Sequence, residues 1–392
     1  MRTAAILPVA GLSSRMGDFK PLMGLNGLPL VCMTAQSALD GGASPVCVVL
    51  GRKAAEVEHA LRTGVAADGE GGAPLVVVRN PDFASTDMFC SIRLGLRRLL
   101  EDGRGDGVPD AVYVLPGDMP GVSPRTFGAL RRQAEQGDAP LLCPRFHGRR
   151  GHPLLVRRAC FDSILGFGGG GGMRGALGDL DQRTVEVEVD DEGVLLDADE
   201  PAAFSRLAAF VHRTKGIAPG QVEEILETSG TPPHIRDHCR AVSRLAAQMA
   251  QRLDAQGLCL DTGLCRSAAA LHDMLRLQKD HARAAADSLC ALGYEALAAV
   301  VGSHQGFPPL PPSDDAAFTE ASVVCLADKL VQETRIVTLD ERYRAALERF
   351  DVTTDTGQRI RRDKGICEAL LARYEELTGD RIFAGAPEKG TG

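Results

Sequence analysis

The opening of the chain decides the fold of its first half, and residues 4–17 read AAILPVAGLSSRMG. The first six residues are apolar, as in a short buried strand, and a turn rich in glycine and serine follows directly. Gly11 and Gly17 allow the backbone to turn tightly and to present N–H groups to an anion. Arg15 and Lys20 add two cations close to that turn. The opening therefore predicts a strand that leads into a phosphate-binding loop.

This loop matches neither of the two common glycine-rich nucleotide motifs. It lacks the G-x-G-x-x-G spacing of dinucleotide-binding folds and the G-K-[ST] ending of P-loop NTPases. Hydride transfer and P-loop ATPase chemistry are therefore disfavoured.

Strand-like and helix-like segments alternate through the first half of the chain. The strand-like segments are residues 4–9, 46–50, 75–79, 111–115, 140–143 and 185–189, and the amphipathic segments are residues 28–39, 54–61, 88–100 and 124–136. This alternation predicts an α/β domain with a mostly parallel, doubly wound, Rossmann-like sheet. In such a sheet we expect the site at the carboxyl ends of the strands.

The second half of the chain has almost no strand-like segment. It is rich in Ala, Leu and Arg with helical periodicity, as in residues 239–253, 264–275, 282–292 and 321–334. The composition changes around residues 213–220, which read RTKGIAPG. We therefore predict a first domain over residues 1–212, a linker over 213–220, an all-α domain over 221–380 and a flexible tail over 381–392.

The composition excludes several classes of protein. A length of 392 residues favours two domains. The net charge of −8, the 4% of aromatic residues and the absence of Trp disfavour non-specific nucleic-acid binding. The eleven cysteines are scattered without a C-x-x-C pair, the first residues lack the apolar core of a signal peptide, and no apolar run is long enough to cross a membrane. We expect a reduced, cytoplasmic protein.

Two acidic segments follow strand-like segments of the first half. Asp118 lies in Gly117-Asp118-Met119-Pro120 after an apolar run, and Asp199 lies in residues 197–201, DADEP, after the last strand-like segment. Two carboxylates that face a triphosphate are suitable ligands for Mg²⁺, which prefers hard oxygen ligands and bridges phosphate oxygens. The sequence therefore predicts a Mg²⁺ site at the carboxyl edge of the sheet.

These motifs resemble the MobA-like NTP transferases, in particular the molybdenum cofactor cytidylyltransferases. The resemblance covers about residues 1–210 and rests on PVAGLSSRMG at 8–17 with Lys20, GDMP at 117–120, GHP at 151–153 and DADEP at 197–201. The chain departs from the family pattern at Pro8-Val9, where the family has Leu-Ala, and at Glu200, where it has Thr. The resemblance implies a fold of the nucleotide-diphospho-sugar transferase type.

The resemblance also implies roles for individual residues. Arg15, Lys20 and Asp118 would be catalytic, and Asp118 and Asp199 would hold Mg²⁺. Asn80, Ser91 and His152 would lie on the acceptor side. The nucleotide would be bound by Ala10, Gly11, Leu12, Ser13, Arg15, Gly17, Lys20 and Asp118.

The substrates follow from the same resemblance. Ala10-Gly11 stands where guanylyl-type relatives have Gly-Gly, and the extra methyl group favours CTP over GTP. The implied acceptor is a molybdopterin-type phosphate, with a molybdoenzyme or a maturation protein as partner. A sugar phosphate or another small phosphate acceptor is the alternative, because similar folds use such substrates.

Potential metal ligands are spread over the helical half. They are His238, His272, Asp273, His281, His304 and Asp328. His272 and Asp273 follow the apolar run at residues 268–271, where adjacent ionisable side chains are costly without a partner. Imidazole and carboxylate ligands together suit Mn²⁺, Fe²⁺ or Zn²⁺, whereas the absence of cysteine ligands disfavours a structural zinc site.

This pattern resembles the HD-domain phosphohydrolases over about residues 218–345. The resemblance implies that His238, His272, Asp273 and Asp328 hold one metal ion, that His281 and His304 help to hold a second one, and that Asp273 is catalytic. Arg276 stands where many members have Lys and would contact phosphate. His234 precedes His238 by one helical turn and competes for its role, although its place after two prolines indicates a helix start.

The two halves together predict a bifunctional enzyme with a nucleotidyltransferase and a metal-dependent phosphohydrolase. Two other interpretations remain open at the level of sequence. The HD domain would be a nucleotide-sensing regulatory module in the first, and the whole chain would be a cofactor-binding chaperone in the second. Arg15, Lys20, Asp118 and Asp199 argue against the chaperone, because a binding protein does not need paired metal carboxylates.

Overall fold

The computed structural model describes residues 1–10, 19–65, 75–102, 107–178, 183–303, 318–351 and 353–382. The chain forms two compact units, Met1–His212 and Arg213–Gly392. Each unit has a hydrophobic core of its own.

The first unit is built on one sheet. Its strands are β1 (Thr3–Val9), β4 (Val46–Leu50), β5 (Leu75–Arg79), β6 (Ala111–Val114), β7 (Leu141–Phe146), β8 (Arg149–Arg150), β9 (Leu154–Arg157) and β10 (Thr184–Glu188), and a separate small hairpin pairs β2 (Gly24–Leu25) with β3 (Leu28–Pro29). The spatial order of the sheet is β10-β7-β9-β6-β1-β4-β5, and β8 pairs with β7. The pairs of β1 with β4 and β6 are parallel, whereas β9 is antiparallel to both of its neighbours.

Helices cover this sheet on both faces. Along β1 the side chains alternate, so that Ala5 and Leu7 enter one core cluster while Ala4 and Ile6 enter another. The helices of this unit are α1 (Leu30–Asp40), α2 (Ala54–Gly64), α3 (Met88–Asp102), α4 (Pro124–Gln136), α5 (Phe161–Gly166), α6 (Gly172–Leu177) and α7 (Pro201–Thr214). The predicted α/β fold is confirmed.

Three parallel strands carry their following loops to the same edge of the sheet. Val9 pairs with Leu50, and Ile6 pairs with Val114, so the ends of β1, β4 and β6 are neighbours. Side chains that follow these strands are therefore close in space although they are far apart in the sequence.

The second unit is helical, as predicted. Its helices are α8 (Pro219–Thr228), α9 (Pro233–Ala255), α10 (Thr262–Leu271), α11 (His281–Ala291), α12 (Glu295–Ser303), α13 (Glu320–Lys329), α14 (Leu339–Arg349) and α15 (Asp355–Thr378), and a hairpin joins β11 (Val331–Gln332) to β12 (Arg335–Ile336). The core lies where α9, α10 and α13 pack together, with Val242, Ala246, Ala269 and Val324 fully buried.

The predicted linker, residues 213–220, carries side chains that pack into the second unit. Ile217 belongs to the core of that unit, and Lys215 Nζ lies 3.2 Å from Asp261 Oδ2. The exact domain boundaries stay a prediction, and most of the predicted tail lies outside the described residues.

No helix in the described part of the chain is both long enough and apolar enough to cross a membrane.

All eleven cysteines lie within the described residues, and none of them forms a disulfide. Burial raises the pKa of Cys32, Cys47 and Cys325 to about 12, so these thiols are almost entirely protonated at pH 8. Cys290 is exposed on α11.

We predict that Ellman's reagent modifies one cysteine of the native protein much faster than the others, and that Cys290→Ser removes this fast phase. The phase is measured from the release of thionitrobenzoate at pH 8, before and after unfolding in guanidinium. Fast modification of several cysteines in the native Cys290→Ser variant would contradict the packing described here.

Candidate active sites

An open pocket lies at the carboxyl edge of the sheet in the first unit. It is lined by the ends of β1 and β6, by the turn that begins at Lys20 and by the start of α3. The lining residues are Pro8, Val9, Ala10, Lys20, Pro21, Phe83, Thr86, Asp87, Met88, Ser91, Pro116, Gly117, Asp118 and Asp199. Of the residues predicted to bind nucleotide, Ala10, Lys20 and Asp118 are therefore in this pocket.

Lys20 bridges the two predicted metal carboxylates. Its Nζ lies 2.6 Å from Asp199 Oδ1 and 3.6 Å from Asp118 Oδ2. The Lys20 side chain is only 11% exposed, whereas that of Asp199 is 56% exposed. The two carboxylates are thus close enough to share one cation, and the Lys20 ammonium is that cation here. Two carboxylates that share one cation provide the hard oxygen ligands that a Mg²⁺ ion prefers.

Local packing brings Asp118 to this point. Gly117 precedes it and lies so close to β1 that an added Cβ would be 2.5 Å from Val9 Cγ2, so a larger residue here would force Val9 or the strand end to shift. The Thr34 hydroxyl of α1 donates a hydrogen bond to the Gly117 carbonyl oxygen at 3.2 Å. The strand end that carries Asp118 is therefore fixed against both β1 and α1.

The electrostatics of Asp118 favour a bound cation. Burial raises the pKa of its carboxyl group, the neighbouring carboxylates Asp199 and Asp197 raise it further, and Lys20 opposes them. A like-charged carboxylate pair of this kind is more stable when a cation lies between its members.

The predicted acceptor residues have different environments. Ser91 lines the pocket, but Asn80 and His152 are not among its described lining residues. The Asn80 amide donates to Thr86 Oγ1 at 3.0 Å, and its Oδ1 accepts from the backbone N–H of Asp82 at 3.0 Å. Asn80 is 3% exposed, so in this structure it organises the loop before α3.

The apolar wall of this pocket was not predicted from the sequence. Phe83 and Met88 line it, and Met88 is 56% exposed. The signal in the sequence that could have indicated this wall was a methionine, Met88, at the first position of the helix that follows a predicted site loop. Gly11, Leu12, Ser13, Arg15 and Gly17 lie outside the described residues.

The second unit brings three predicted metal ligands together. One ligand atom from each of His238, His272 and Asp328 lies within 4.8 Å of those of the other two. Asp328 Oδ1 is 3.2 Å from His238 Nε2 and 3.5 Å from His272 Nε2. The three side chains come from α9, from the turn after α10 and from α13, which pack together in the core.

Backbone carbonyls orient both imidazoles toward the cluster. His238 Nδ1 lies 2.9 Å from the Glu333 carbonyl oxygen, and His272 Nδ1 lies 2.8 Å from that of Ala269. A carbonyl oxygen only accepts, so Nδ1 donates in both rings and Nε2 is the atom that faces Asp328. Outer hydrogen bonds of this kind are typical of histidine ligands in metal sites. Two imidazoles and a carboxylate therefore fit a divalent transition metal.

Asp273 and His281 lie at the edge of this cluster. Asp273 Oδ2 is 3.6 Å from His272 Nε2, while its Oδ1 is 3.1 Å from His281 Nε2 and 3.4 Å from Arg276 Nη1. Asp273 can thus join the cluster through one oxygen and hold His281 and Arg276 through the other. His304 lies outside the described residues.

Cations surround the carboxylate at the centre of the cluster. Lys329 Nζ is 2.6 Å from Asp328 Oδ2, and Arg342 Nη2 is 3.9 Å from Asp328 Oδ1. Burial alone would raise the pKa of Asp328, but Lys329 and the two histidines hold it well below its ordinary value. His234, in contrast, is exposed in the first turn of α9, in agreement with its predicted place at a helix start.

Comparisons with protein families give one match in each of the two units. Residues 5–185 match the family model of the MobA-like NTP transferase domain, and residues 235–332 match that of the HD domain. The second match contains all six predicted metal ligands of the helical half. Both domain types indicate enzymatic activity.

Individual relatives match the first half of the chain. The molybdenum cofactor cytidylyltransferase of Escherichia coli K12 is 24% identical over 199 residues, which is 51% of this chain and 92% of that protein. A homologue of Mycobacterium tuberculosis Rv0371c from Mycobacterium sp. strain JC1 has a solved structure with 23% identity and a TM-score of 0.43, covering 54% of this chain and 98% of the other. Rv0371c from Mycobacterium tuberculosis H37Rv has 22% identity and a TM-score of 0.40, covering 53% and 98%. By the two family-model matches, the chain carries a MobA-like NTP transferase domain over residues 5–185 and an HD domain over residues 235–332.

Proposed function

We propose that the first domain transfers the CMP group of CTP to a phosphate-bearing acceptor, namely molybdopterin, and releases pyrophosphate. The observation that carries this proposal is the bridge from Lys20 to Asp118 and Asp199 at the edge of the sheet. The name of the Escherichia coli relative supports both the base and the acceptor.

The proposed reaction asks the protein for positioning and charge neutralisation. An oxygen of the acceptor phosphate forms a bond to the α-phosphorus, and the bond from that phosphorus to the leaving pyrophosphate breaks in line. Lys20 would move from the carboxylates to the triphosphate and neutralise charge on the phosphate oxygens. A Mg²⁺ ion held by Asp118 and Asp199 would supply further charge neutralisation. Phe83 and Met88 would exclude water on the open side of the pocket.

The wall of the pocket supports the proposed choice of CTP over GTP. Ala10 lines the pocket, and its side chain reduces the space near the sheet edge compared with glycine.

Pyrophosphate release is tested with each of the four NTPs and with molybdopterin or a sugar 1-phosphate as acceptor. We expect release with CTP and molybdopterin. Release only with a sugar phosphate would keep the chemistry and replace the acceptor, and release with GTP would contradict the proposed base.

We propose that the HD domain hydrolyses a phosphate ester or anhydride, with Mn²⁺, Fe²⁺ or Zn²⁺ held by His238, His272, Asp273 and Asp328. Such an ion would supply a nucleophile from bound water at neutral pH. Arg276, which is half exposed and paired with Asp273, would bind a substrate phosphate. A panel of nucleotides and pyrophosphate with Mn²⁺ tests this activity. Binding without phosphate release would favour the regulatory module instead.

The position of Lys20 leads to a prediction about metal binding. We expect Lys20→Gln to bind Mn²⁺ about tenfold more tightly than the wild type when no nucleotide is present, because the ammonium no longer competes for the two carboxylates. The same variant is expected to lose affinity for CTP.

Electron paramagnetic resonance of free Mn²⁺ measures this effect, in a His238→Ala background that removes binding at the HD domain. Lys53→Gln is the matched control, since Lys53 Nζ pairs with Glu56 instead. Equal Mn²⁺ affinity in the Lys20 and Lys53 variants would show that Lys20 does not compete with the ion.

A molybdoenzyme or maturation protein as partner and a location in the cytoplasm stay predictions. The absence of disulfides among the eleven cysteines supports a reducing compartment.

A further inference from the structure

A buried carboxylate outside the pocket connects the two segments that carry Asp118 and Asp199. Asp191 is 7% exposed, and its Oδ2 accepts hydrogen bonds from the backbone N–H of Ser123 at 2.8 Å and from Thr126 Oγ1 at 2.6 Å. Its Oδ1 accepts from the backbone N–H of Gly193 at 3.0 Å. One carboxyl group thus joins the start of α4 to the short helical turn Glu192–Leu195.

The backbones of the same two segments are in direct contact. A Cβ added at Gly193 would lie 2.1 Å from the Gly121 carbonyl oxygen, so no side chain fits between them. The Val194 carbonyl oxygen accepts a hydrogen bond from the backbone N–H of His152 at 3.0 Å. The turn Glu192–Leu195 is therefore fixed on two sides, a few residues before Asp199.

This arrangement links the stretch of chain after Asp118 to the stretch before Asp199. Asp118 lies a few residues before Ser123 and Thr126 in the chain. Asp199 lies a few residues after Asp191 and Gly193. The side chain of Asp199 is 56% exposed and is held by Lys20, and the preceding residue, Ala198, is fully buried in a cluster with Leu30. The junction at Asp191 is a further contact that holds the segment before Asp199 against the segment after Asp118.

We propose that Asp191 is a positioning residue that holds Asp118 and Asp199 at the spacing required for a shared divalent cation. The proposal rests on the proposed function of the first domain. The described hydrogen bonds of the Asp191 side chain go to Ser123, Thr126 and Gly193, none of which is a described lining residue of the pocket, so Asp191 would act through them.

The test is the affinity for Mn²⁺ in the presence of a non-hydrolysable CTP analogue, measured by electron paramagnetic resonance on the full chain in the His238→Ala background. We expect Asp191→Asn to weaken Mn²⁺ binding about tenfold or more, because an amide cannot accept all three hydrogen bonds. Pyrophosphate release should need correspondingly more metal ion, with kcat largely recovered at saturating metal. Glu192→Gln, an exposed neighbour, is the matched control and should leave the affinity unchanged.

A second variant keeps the test decisive if Asp191→Asn does not fold. Thr126→Val removes one hydrogen bond to Asp191 with little change in volume, and it should weaken Mn²⁺ binding in the same direction by a smaller factor. The proposal would be overturned if a folded Asp191→Asn or Thr126→Val variant bound Mn²⁺ with wild-type affinity and differed from the wild type only in a lower melting temperature. Failure of the wild-type domain to bind Mn²⁺ with the analogue would instead overturn the proposed function.

Discussion

Replacing Asp118 by asparagine is expected to lower pyrophosphate release with CTP by about 10³-fold. Asp118 is the less exposed member of the carboxylate pair, and its neighbour Asp199 alone would offer a single, exposed ligand group. The asparagine is nearly isosteric, so the folded structure should persist while the negative charge is lost. Steady-state release of pyrophosphate, measured with a coupled phosphate assay, gives the factor.

Asp110→Asn is the matched control for this variant. Asp110 lies at the opposite end of the same strand, β6, where its Oδ2 accepts a hydrogen bond from the backbone N–H of Arg2 at 2.8 Å. We expect this variant to retain activity within a few-fold of the wild type. Asp118→Asn with near wild-type activity would rule out the pair as the metal site.

The second large effect is expected at the HD domain. His238→Ala should remove most of the transition metal that the full chain retains after dialysis against metal-free buffer, because it deletes one of the three converging ligand groups. His238 is partly accessible, so its truncation is less disruptive than that of the fully buried His272. Inductively coupled plasma mass spectrometry measures the bound metal, and phosphate release from the best substrate of the panel should fall with it.

His234→Ala provides the comparison within the same helix. His234 lies one turn before His238 on α9 and is exposed, so its variant should keep both the metal and the hydrolysis. Loss of metal from the His234 variant, or its retention in the His238 variant, would show that the cluster described here is not the metal site. CTP-dependent pyrophosphate release should be unaffected in both variants.

Much of the first domain could be predicted from periodicity, because its central strands are buried on both faces. The buried segment at residues 46–50 is a strand with those bounds, and so is the edge strand at residues 75–79. The strand β9 was not among the predicted strands. Its antiparallel pairing between β6 and β7 depends on contacts that the local sequence does not encode.

Helix ends in the second domain were less predictable. The helix predicted over 264–275 ends at Leu271, because His272 and Asp273 occupy a turn that places both side chains toward the ligand cluster. The helix predicted over 321–334 ends at Lys329, and the chain continues as the hairpin of β11 and β12. That hairpin supplies the Glu333 carbonyl oxygen to which His238 donates a hydrogen bond. Apolar periodicity continues through both ends, so it could not reveal them.

The site residues illustrate the same limit. Residue type and strand position were enough to predict that Lys20, Asp118 and Asp199 lie at one site. They could not predict that Lys20 forms an ion pair with both carboxylates, because that depends on the distances between the side chains. Asn80 was predicted to contact the acceptor, and its amide is used within its own loop. Asp191 had no visible role in the sequence, since an aspartate before a turn is common and its partners Ser123 and Thr126 are distant in the chain.

The most direct test of the account follows the α-phosphate of the nucleotide. The full-length protein is incubated with Mg²⁺, molybdopterin carrying molybdenum, and CTP labelled with ³²P at the α-position, and the products are separated by chromatography. We expect the label to enter a conjugate with the acceptor, in amounts equal to the pyrophosphate released, and Asp118→Asn to prevent this. Label that remained in CTP with every acceptor, or that appeared only as free CMP, would contradict nucleotidyl transfer by the first domain.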